Sequence, residues 1–285
     1  MIDLHLHLLP GVDDGPPDLD AALALARECA GTDTPTVAVT PHCDDWTRAA
    51  LPDADAVRAR VTLLQGELDR AGIPLHIVAG GETFLTPELP SLVREGRVPT
   101  LGGTAWLLVE TPMQQKPLYL EQALFELQAM GVRPLLAHPE RYAWLHRDPD
   151  LLGALVERGT CAQVTASSLA GGRGGRTRAL AETFVRRGYA QVIASDRHKA
   201  GAAGATLQAG YEAAAALVGP ERARRLVEDN PRLILDDQSL PVELDDEDER
   251  NGARARGGGG WRPRWLRREA SEAPRPRRYL VQRTA

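Results

Sequence analysis

Short apolar runs that stop abruptly at polar residues alternate along this chain with longer segments of helical period. The runs Ile2–His5, Thr36–Thr40, Leu75–Ala79, Trp106–Val109, Pro134–Ala137, Ala162–Thr165 and Gln191–Ala194 have strand length. Their nearly continuous hydrophobicity is that of strands buried on both faces. The stretches between them carry helix signals. Pro17-Asp18 opens a predicted helix over Asp18–Ala30, and Pro52-Asp53 opens one over Asp53–Ala71. An Asp oxygen can accept from the free N–H groups of the first turn, and Pro suits that turn because its missing N–H is not needed there. Leu118–Met130, Asp150–Arg158, Arg176–Arg187 and Ala202–Val218 each run into a glycine, where a left-handed closing residue is expected. This unbroken strand–helix alternation predicts one α/β domain over residues 1–240 with a parallel sheet, open or closed into a barrel.

The chain has 285 residues, 43% of them hydrophobic and 26% charged, so a sizeable core can form. No run reaches the roughly 18 uncharged apolar residues of a membrane span. The start, Met1-Ile-Asp-Leu-His-Leu-His7, lacks the basic flank and apolar stretch of a secretory signal. Cys29, Cys43 and Cys161 are scattered and give neither a disulfide framework nor a zinc-finger pair. A soluble cytoplasmic protein is expected.

The net charge of −5 hides an asymmetry. Residues 1–242 carry 23 Lys/Arg against 31 Asp/Glu, residues 243–250 add a further −5, and residues 251–285 hold ten Arg against two Glu. An acidic body argues against nucleic acid as the main substrate, since phosphate backbones are bound by basic surfaces. Residues 241–285 run from an acidic stretch through Gly257–Gly260 to an Arg/Trp-rich end. With no helical or strand period, they read as a disordered tail. An Arg/Trp patch meeting a membrane surface or an acidic partner is the functional alternative.

The chemistry gathers at the strand ends. The first run ends in His5-Leu-His7 with Asp13-Asp14 soon after, the second in Thr40-Pro-His42, the third in Gly80-Gly-Glu82, and the fourth in Glu110. The fifth ends in His138-Pro-Glu-Arg141 and the seventh in Ser195-Asp-Arg-His198. In parallel β/α folds functional residues collect at the C-terminal ends of the strands. Residues i and i+2 of a strand share a face, so His5 and His7 can bind one ion, as can Asp196 and His198. A lone histidine at a strand end is usually structural; repeated pairs with further carboxylates are not. His5, His7, Asp14, His42, Glu82, Glu110, His138, Asp196 and His198 exceed what one ion can use, so two or three ions are expected, bridged by a carboxylate such as Glu82. Mixed imidazole and carboxylate donors suit Zn, Mn or Fe. Such ions lower the pKa of bound water and stabilise in-line displacement, which predicts a metal-dependent hydrolase.

These motifs, together with Val12-Asp-Asp-Gly-Pro, Gly81-Glu82, Ala137-His-Pro-Glu-Arg141 and Asn230-Pro231, resemble the PHP (polymerase and histidinol phosphatase) superfamily. Within it the chain is most similar to the bacterial capsule- and exopolysaccharide-associated protein-tyrosine phosphatases, from residue 1 to about 236. The resemblance implies a distorted seven-stranded (β/α) barrel of PHP type and a trinuclear, usually manganese, centre held by the nine residues above. It also implies Arg141 as the phosphate-holding residue and hydrolysis of phosphotyrosine by a metal-bridging hydroxide. The implied substrate is a phosphotyrosine protein, typically a bacterial tyrosine kinase controlling polysaccharide synthesis. A salt bridge to Glu140 or a neighbour is the structural alternative for Arg141.

The chain departs from that pattern at two points. The family's Arg-Pro pair after the Ser-Asp-X-His element, a second phosphate contact, is absent from Lys199-Ala-Gly-Ala-Ala-Gly-Ala205. Arg197, Lys199, or Arg173 and Arg176 of the Gly171–Gly175 loop could compensate. A family Asn near the sixth strand is replaced by Thr165. The cysteine-based tyrosine-phosphatase chemistry is excluded, because no cysteine has an Arg six residues on, and Cys43 beside His42 is expected to be a small buried residue. Two rivals remain: a PHP-type phosphoesterase acting on a small metabolite such as histidinol phosphate, and a non-catalytic regulator of the polysaccharide machinery.

Overall fold

The computed structural model describes residues 1–43, 54–201, 206–242 and 244. Met1–Asp245 form one compact unit, and the predicted tail from residue 241 falls almost wholly outside the described residues. The chain runs β1 (Ile2–Leu6), α1 (Leu19–Ala30), β2 (Thr36–Val39), β3 (His42–Cys43), α2 (Ala54–Arg70), β4 (His76–Ala79), β5 (Glu82–Phe84), α3 (Leu89–Arg94) and β6 (Trp106–Glu110). It continues through α4 (Leu120–Ala129), β7 (Arg133–Ala137), α5 (Asp150–Glu157), β8 (Cys161–Thr165), α6 (Ala166–Leu169), α7 (Gly175–Arg186) and β9 (Val192–Ala194). The last helices are α8 (Leu207–Val218), α9 (Pro220–Arg224) and α10 (Asn230–Leu235), the latter two joined by a π-helical turn over Arg225–Asp229. No described helix is long and apolar enough to cross a membrane.

All seven predicted runs are strands, and every strand pairing is parallel. They lie in two sheets rather than one, ordered β1-β2-β4 and β3-β5-β6-β7-β8-β9. The difference from expectation is the pair of short strands β3 and β5, which continue β2 and β4 beyond a break. One break falls at Thr40-Pro41, where proline has no N–H for a ladder. The other falls at Gly80-Gly81, where a Cβ on Gly81 would lie 2.5 Å from Cγ of Pro99 and 2.7 Å from Sγ of Cys43. The breaks carry His42 and Glu82 into the larger sheet. Beyond β9, the chain returns to β1 through a parallel Leu6–Arg197 bridge, with Asp196 N donating to His5 O at 2.9 Å and His7 N to Arg197 O at 3.0 Å.

β1 contains a slip that decides which side chains face the site. Asp3 is opposite Val37 and Leu6 opposite Val39, so β1 spends one residue more than β2 between these pairs. An extra residue in one strand turns the following side chains over. Leu4 packs with Ile2, Ala38, Leu108, Leu135 and Val192, whereas Leu6 packs with Val37 and Val39 against α1 and α2. His5 and His7 therefore follow Leu4 on the same side, above this apolar layer, which Ile234 of α10 also enters. A third apolar cluster fills the space between the larger sheet and α4, α5, α7 and α8.

The helix signals act as expected. Asp18 Oδ1 accepts from Ala21 N at 2.9 Å, Thr206 caps α8 by accepting from Ala209 N at 3.2 Å, and Gly131 closes α4 with φ of 84°. Asp53, the expected cap of α2, lies outside the described residues. α3 and the α9–α10 segment lie where no helix is predicted.

Candidate metal centre

The C-terminal ends of β1, β6, β7 and β9 and the starts of the short strands β3 and β5 bring side chains to one point. His5 and His7 are fully buried, with their Nε2 atoms 3.2 Å apart. Glu82 sits among the histidines: its Oε2 is 3.3 Å from His5 Nε2, 3.4 Å from His7 Nε2 and 3.1 Å from His42 Nδ1. Its Oε1 is 2.7 Å from His138 Nε2. Asp196 Oδ1 faces His5 Nε2 at 3.5 Å and His7 Nε2 at 3.7 Å. Glu110 reaches His138 at 3.7 Å. At the rim, Asp14 Oδ1 lies 3.1 Å from His198 Nε2 and 3.6 Å from His42 Nε2. All nine residues expected as ligands are thus brought together.

Their ligand atoms fall into three overlapping groups: His7, Asp14, His42 and His198; His5, His7 and Asp196; and His42, Glu82 and Glu110. The donors fit divalent cations. Glu82 Oε2 is buried with no hydrogen-bond partner, as is His138 Nδ1, and a buried carboxylate oxygen left so is costly unless a cation meets it. Two of the expected ligands, His138 (φ 35°) and Asp196 (φ 52°), hold left-handed backbone conformations. This is strain of the kind that a site, rather than the sheet, requires.

Protons show how strongly the carboxylates attract positive charge. Burial alone would depress His5 and His7, but Glu82 and Asp196 hold His5 up at about 9, and Asp13 with Glu82 holds His7 at about 10. Burial opposes a charge on Glu82 too, yet His5 and His138 keep it well below the carboxylate range. Glu110, where burial and then the Glu82 charge both act against ionisation, rises to about 7. Asp14 is drawn down to about 2, chiefly by its hydrogen bond with His198.

Arg141 stands beside this cluster in a 3-10 turn over Pro139–Arg141. Its Nη1 donates to Asp196 Oδ2 at 3.0 Å, so its partner is a site carboxylate and not Glu140. Glu140 is fully buried and instead accepts, through Oε1, from Thr165 N at 2.9 Å and Ser168 Oγ at 2.7 Å. Arg141, Arg173, Lys199, Asp14 and Glu110 line a cavity of about 580 Å³ over the buried floor. Arg197 also borders this cavity, but it is ion-paired to Glu28 with its side chain only 2% exposed. Cys43, expected to be buried, is half-buried, and its Sγ donates to Pro41 O.

Residues 1–236 match the family described as capsular polysaccharide synthesis, CpsB/CapC. This chain belongs to that family. Among CpsB/CapC relatives, it is 34% identical over 198 residues to the tyrosine-protein phosphatase YwqE of Bacillus subtilis, which spans 70% of this chain and 77% of that protein. It is 26% identical over 247 residues to the tyrosine-protein phosphatase CpsB of Streptococcus pneumoniae, covering 84% of this chain and all of that one. A crystal structure from work on YwqE and CpsB, described as metal-dependent tyrosine phosphatases, superposes with a TM-score of 0.79 at 30% identity. The match covers 85% of this chain and 97% of the other.

Beside the CpsB/CapC motif residues stand partners that sequence reasoning missed. Gln163, midway along β8, presents Oε1 to His5 Nδ1 at 2.9 Å. Asp13 Oδ2 lies 2.7 Å from His7 Nδ1 and accepts from His42 N at 3.1 Å. Asp3 accepts from His5 N and Ser195 N, tying the ends of β1 and β9 together. Hydrogen-bonding the far nitrogen of a ligand histidine fixes its tautomer and ring orientation. For Gln163 the signal was available: a polar residue two positions before Thr165, on an otherwise apolar strand.

Proposed function

We propose that this chain is a metal-dependent protein-tyrosine phosphatase of capsule or exopolysaccharide synthesis, its substrate a phosphotyrosine protein such as the kinase that controls that synthesis. The observation that carries the reading is the convergence of nine imidazole and carboxylate side chains beneath a cavity walled by Arg141. His5, His7, Asp14, His42, Glu82, Glu110, His138, Asp196 and His198 would hold two or three divalent ions, manganese first among them, with Glu82 placed to bridge. We also read the two sheets, joined end to end through the broken strands and the Leu6–Arg197 bridge, as a distorted seven-stranded barrel over residues 1–240.

Bound ions would supply positive charge and a water whose pKa falls from 15.7 towards about 7. The chain's own groups do the rest. Gln163 and Asp13 orient the ligand imidazoles, and Asp196 Oδ2 fixes the guanidinium of Arg141. That planar fork can bind two phosphate oxygens at once and stabilise charge developing on them. A tyrosine phenol, with a pKa near 10, leaves without strong help from an acid. The rim residues Asp14 and Arg173, with side chains 67% and 37% exposed, leave the entrance reachable by a side chain on a protein surface.

The test is phosphate release by protein stripped with chelator and reloaded with Mn²⁺, Zn²⁺ or Fe²⁺. A phosphotyrosine peptide, a phosphoserine peptide and histidinol phosphate are offered side by side. Metal-restored turnover confined to phosphotyrosine is expected. Preference for histidinol phosphate moves the function to a small metabolite, and no turnover on any of the three leaves a regulator.

A further inference from the structure

We propose that Arg173, on the glycine loop between α6 and α7, is a second phosphate-binding guanidinium that works with Arg141. The inference rests on the phosphatase reading and names the residue that replaces the contact missing after His198.

Two guanidiniums share one carboxylate oxygen. Arg141 Nη1 lies 3.0 Å and Arg173 Nη2 3.4 Å from Asp196 Oδ2. Among the described residues, the other partner of Arg173 is uncharged, the Ser167 hydroxyl at 3.3 Å from Nε. Burial and the adjacent Arg141 both pull Arg173 below the ordinary arginine range, a sign that positive charge is crowded here. Two guanidiniums against one oxygen of a carboxylate whose other oxygen faces two histidines is a poor arrangement for stability alone. It suits a shared anion, since each planar fork has further N–H groups and both side chains line the same cavity. A carboxylate committed to cations leaves the two arginines still shorter of negative charge, and a phosphoryl group supplies it.

The placement is built into the backbone. Gly171 and Gly174 bracket Arg173 with φ of 90° and 89°, conformations that favour glycine. The loop is anchored where Arg141 is anchored. Ser167 holds Arg173, its neighbour Ser168 donates to Glu140, and Glu140 precedes Arg141. Of the other candidates, Arg197 is paired with Glu28, Arg176 does not line the cavity, and Lys199 lines it but makes no ion pair with Asp196 among the described residues.

The test measures inorganic phosphate binding to manganese-loaded full-length protein by calorimetry, with metal content and phosphotyrosine-peptide kinetics determined on the same samples. R173Q should weaken phosphate binding about tenfold or more, raise KM, and leave manganese content and melting temperature unchanged. R173K should recover part of the loss, and R176Q should bind as wild type does. Wild-type phosphate affinity in R173Q overturns the inference. So does a loss that comes with lost manganese, which would make Arg173 a support for Asp196, and so does a wild-type protein that takes no phosphate. Absent phosphotyrosine turnover in the wild type sinks the functional reading instead, while phosphate binding still decides the role of Arg173.

Discussion

Arg141 and Asp196 meet at 3.0 Å through Nη1 and Oδ2, while Oδ1 of the same aspartate faces His5 at 3.5 Å. One carboxylate thus turns one oxygen to the histidine cluster and the other to the guanidinium that lines the cavity. Its left-handed backbone, φ 52°, turns it between the two. The position of the guanidinium is therefore set by a buried carboxylate of the cluster, not by the surface.

Substituting Arg141 should separate the two sides. R141A is expected to retain manganese and fold but lose about a hundredfold in kcat/KM, and R141K to recover only part, since an ammonium cannot bind bidentately. Steady-state kinetics with metal analysis of the same samples checks this. Loss of metal from R141A would mean that the arginine mainly positions Asp196.

The pH dependence of the metal-free protein follows from its trapped protons. His5 and His7 titrate at about 9 and about 10, against 6.5 for a free imidazole. A pKa raised by folding adds stability that is complete below the unfolded value and disappears as pH climbs through the folded one. Glu110, raised from 4.5 to about 7, has the same sign but acts lower, its share being lost between about pH 4.5 and 7, because its ionisation is disfavoured in the folded state. Metal-free protein should lose stability steadily from about pH 7 to 10, measured as a falling urea midpoint. Manganese affinity should rise across the same window, because ligation displaces those protons. A flat profile would show that the cluster holds neutral imidazoles.

Gln163 offers a test away from the ligands themselves. Q163L removes the acceptor for His5 Nδ1 without touching a ligand atom. Manganese affinity should fall about 10- to 100-fold, with the circular dichroism spectrum unchanged. An unchanged dissociation constant would reduce Gln163 to a packing residue.

The seat of α6 against α8 depends on the absence of one carbon. A Cβ at Gly210 would stand 2.7 Å from Cβ and 2.9 Å from Cα of Ala166, and the Cα cannot swing aside. G210A should cost about 1–3 kcal/mol, read from denaturant midpoints. A neutral result would show that α8 can shift without loss.

The clustering of the candidate residues could be read from the chain because most of them follow an apolar run, and strand ends in parallel folds converge. The seven runs were legible for the same reason: strands buried on both faces leave long apolar stretches. β3 and β5 were not, being two and three residues long and defined by pairing rather than by composition. Gln163 and Asp13 act through hydrogen bonds to atoms distant in sequence, which no periodicity encodes. Arg173 could be named only as one of several basic residues in reach. Choosing among them required the distances to Asp196 and the turn of Arg197 towards Glu28.

The additional residue that β1 places between Asp3 and Leu6 has a wider implication. Without Leu4, Asp3 and Leu6 could keep their partners on β2, and the two histidines, which flank Leu6, would keep their common face. What would go is the side chain beneath them. The extra residue lets Leu4 and His5 share one side, so that one strand supplies both the apolar floor and part of the centre that stands on it.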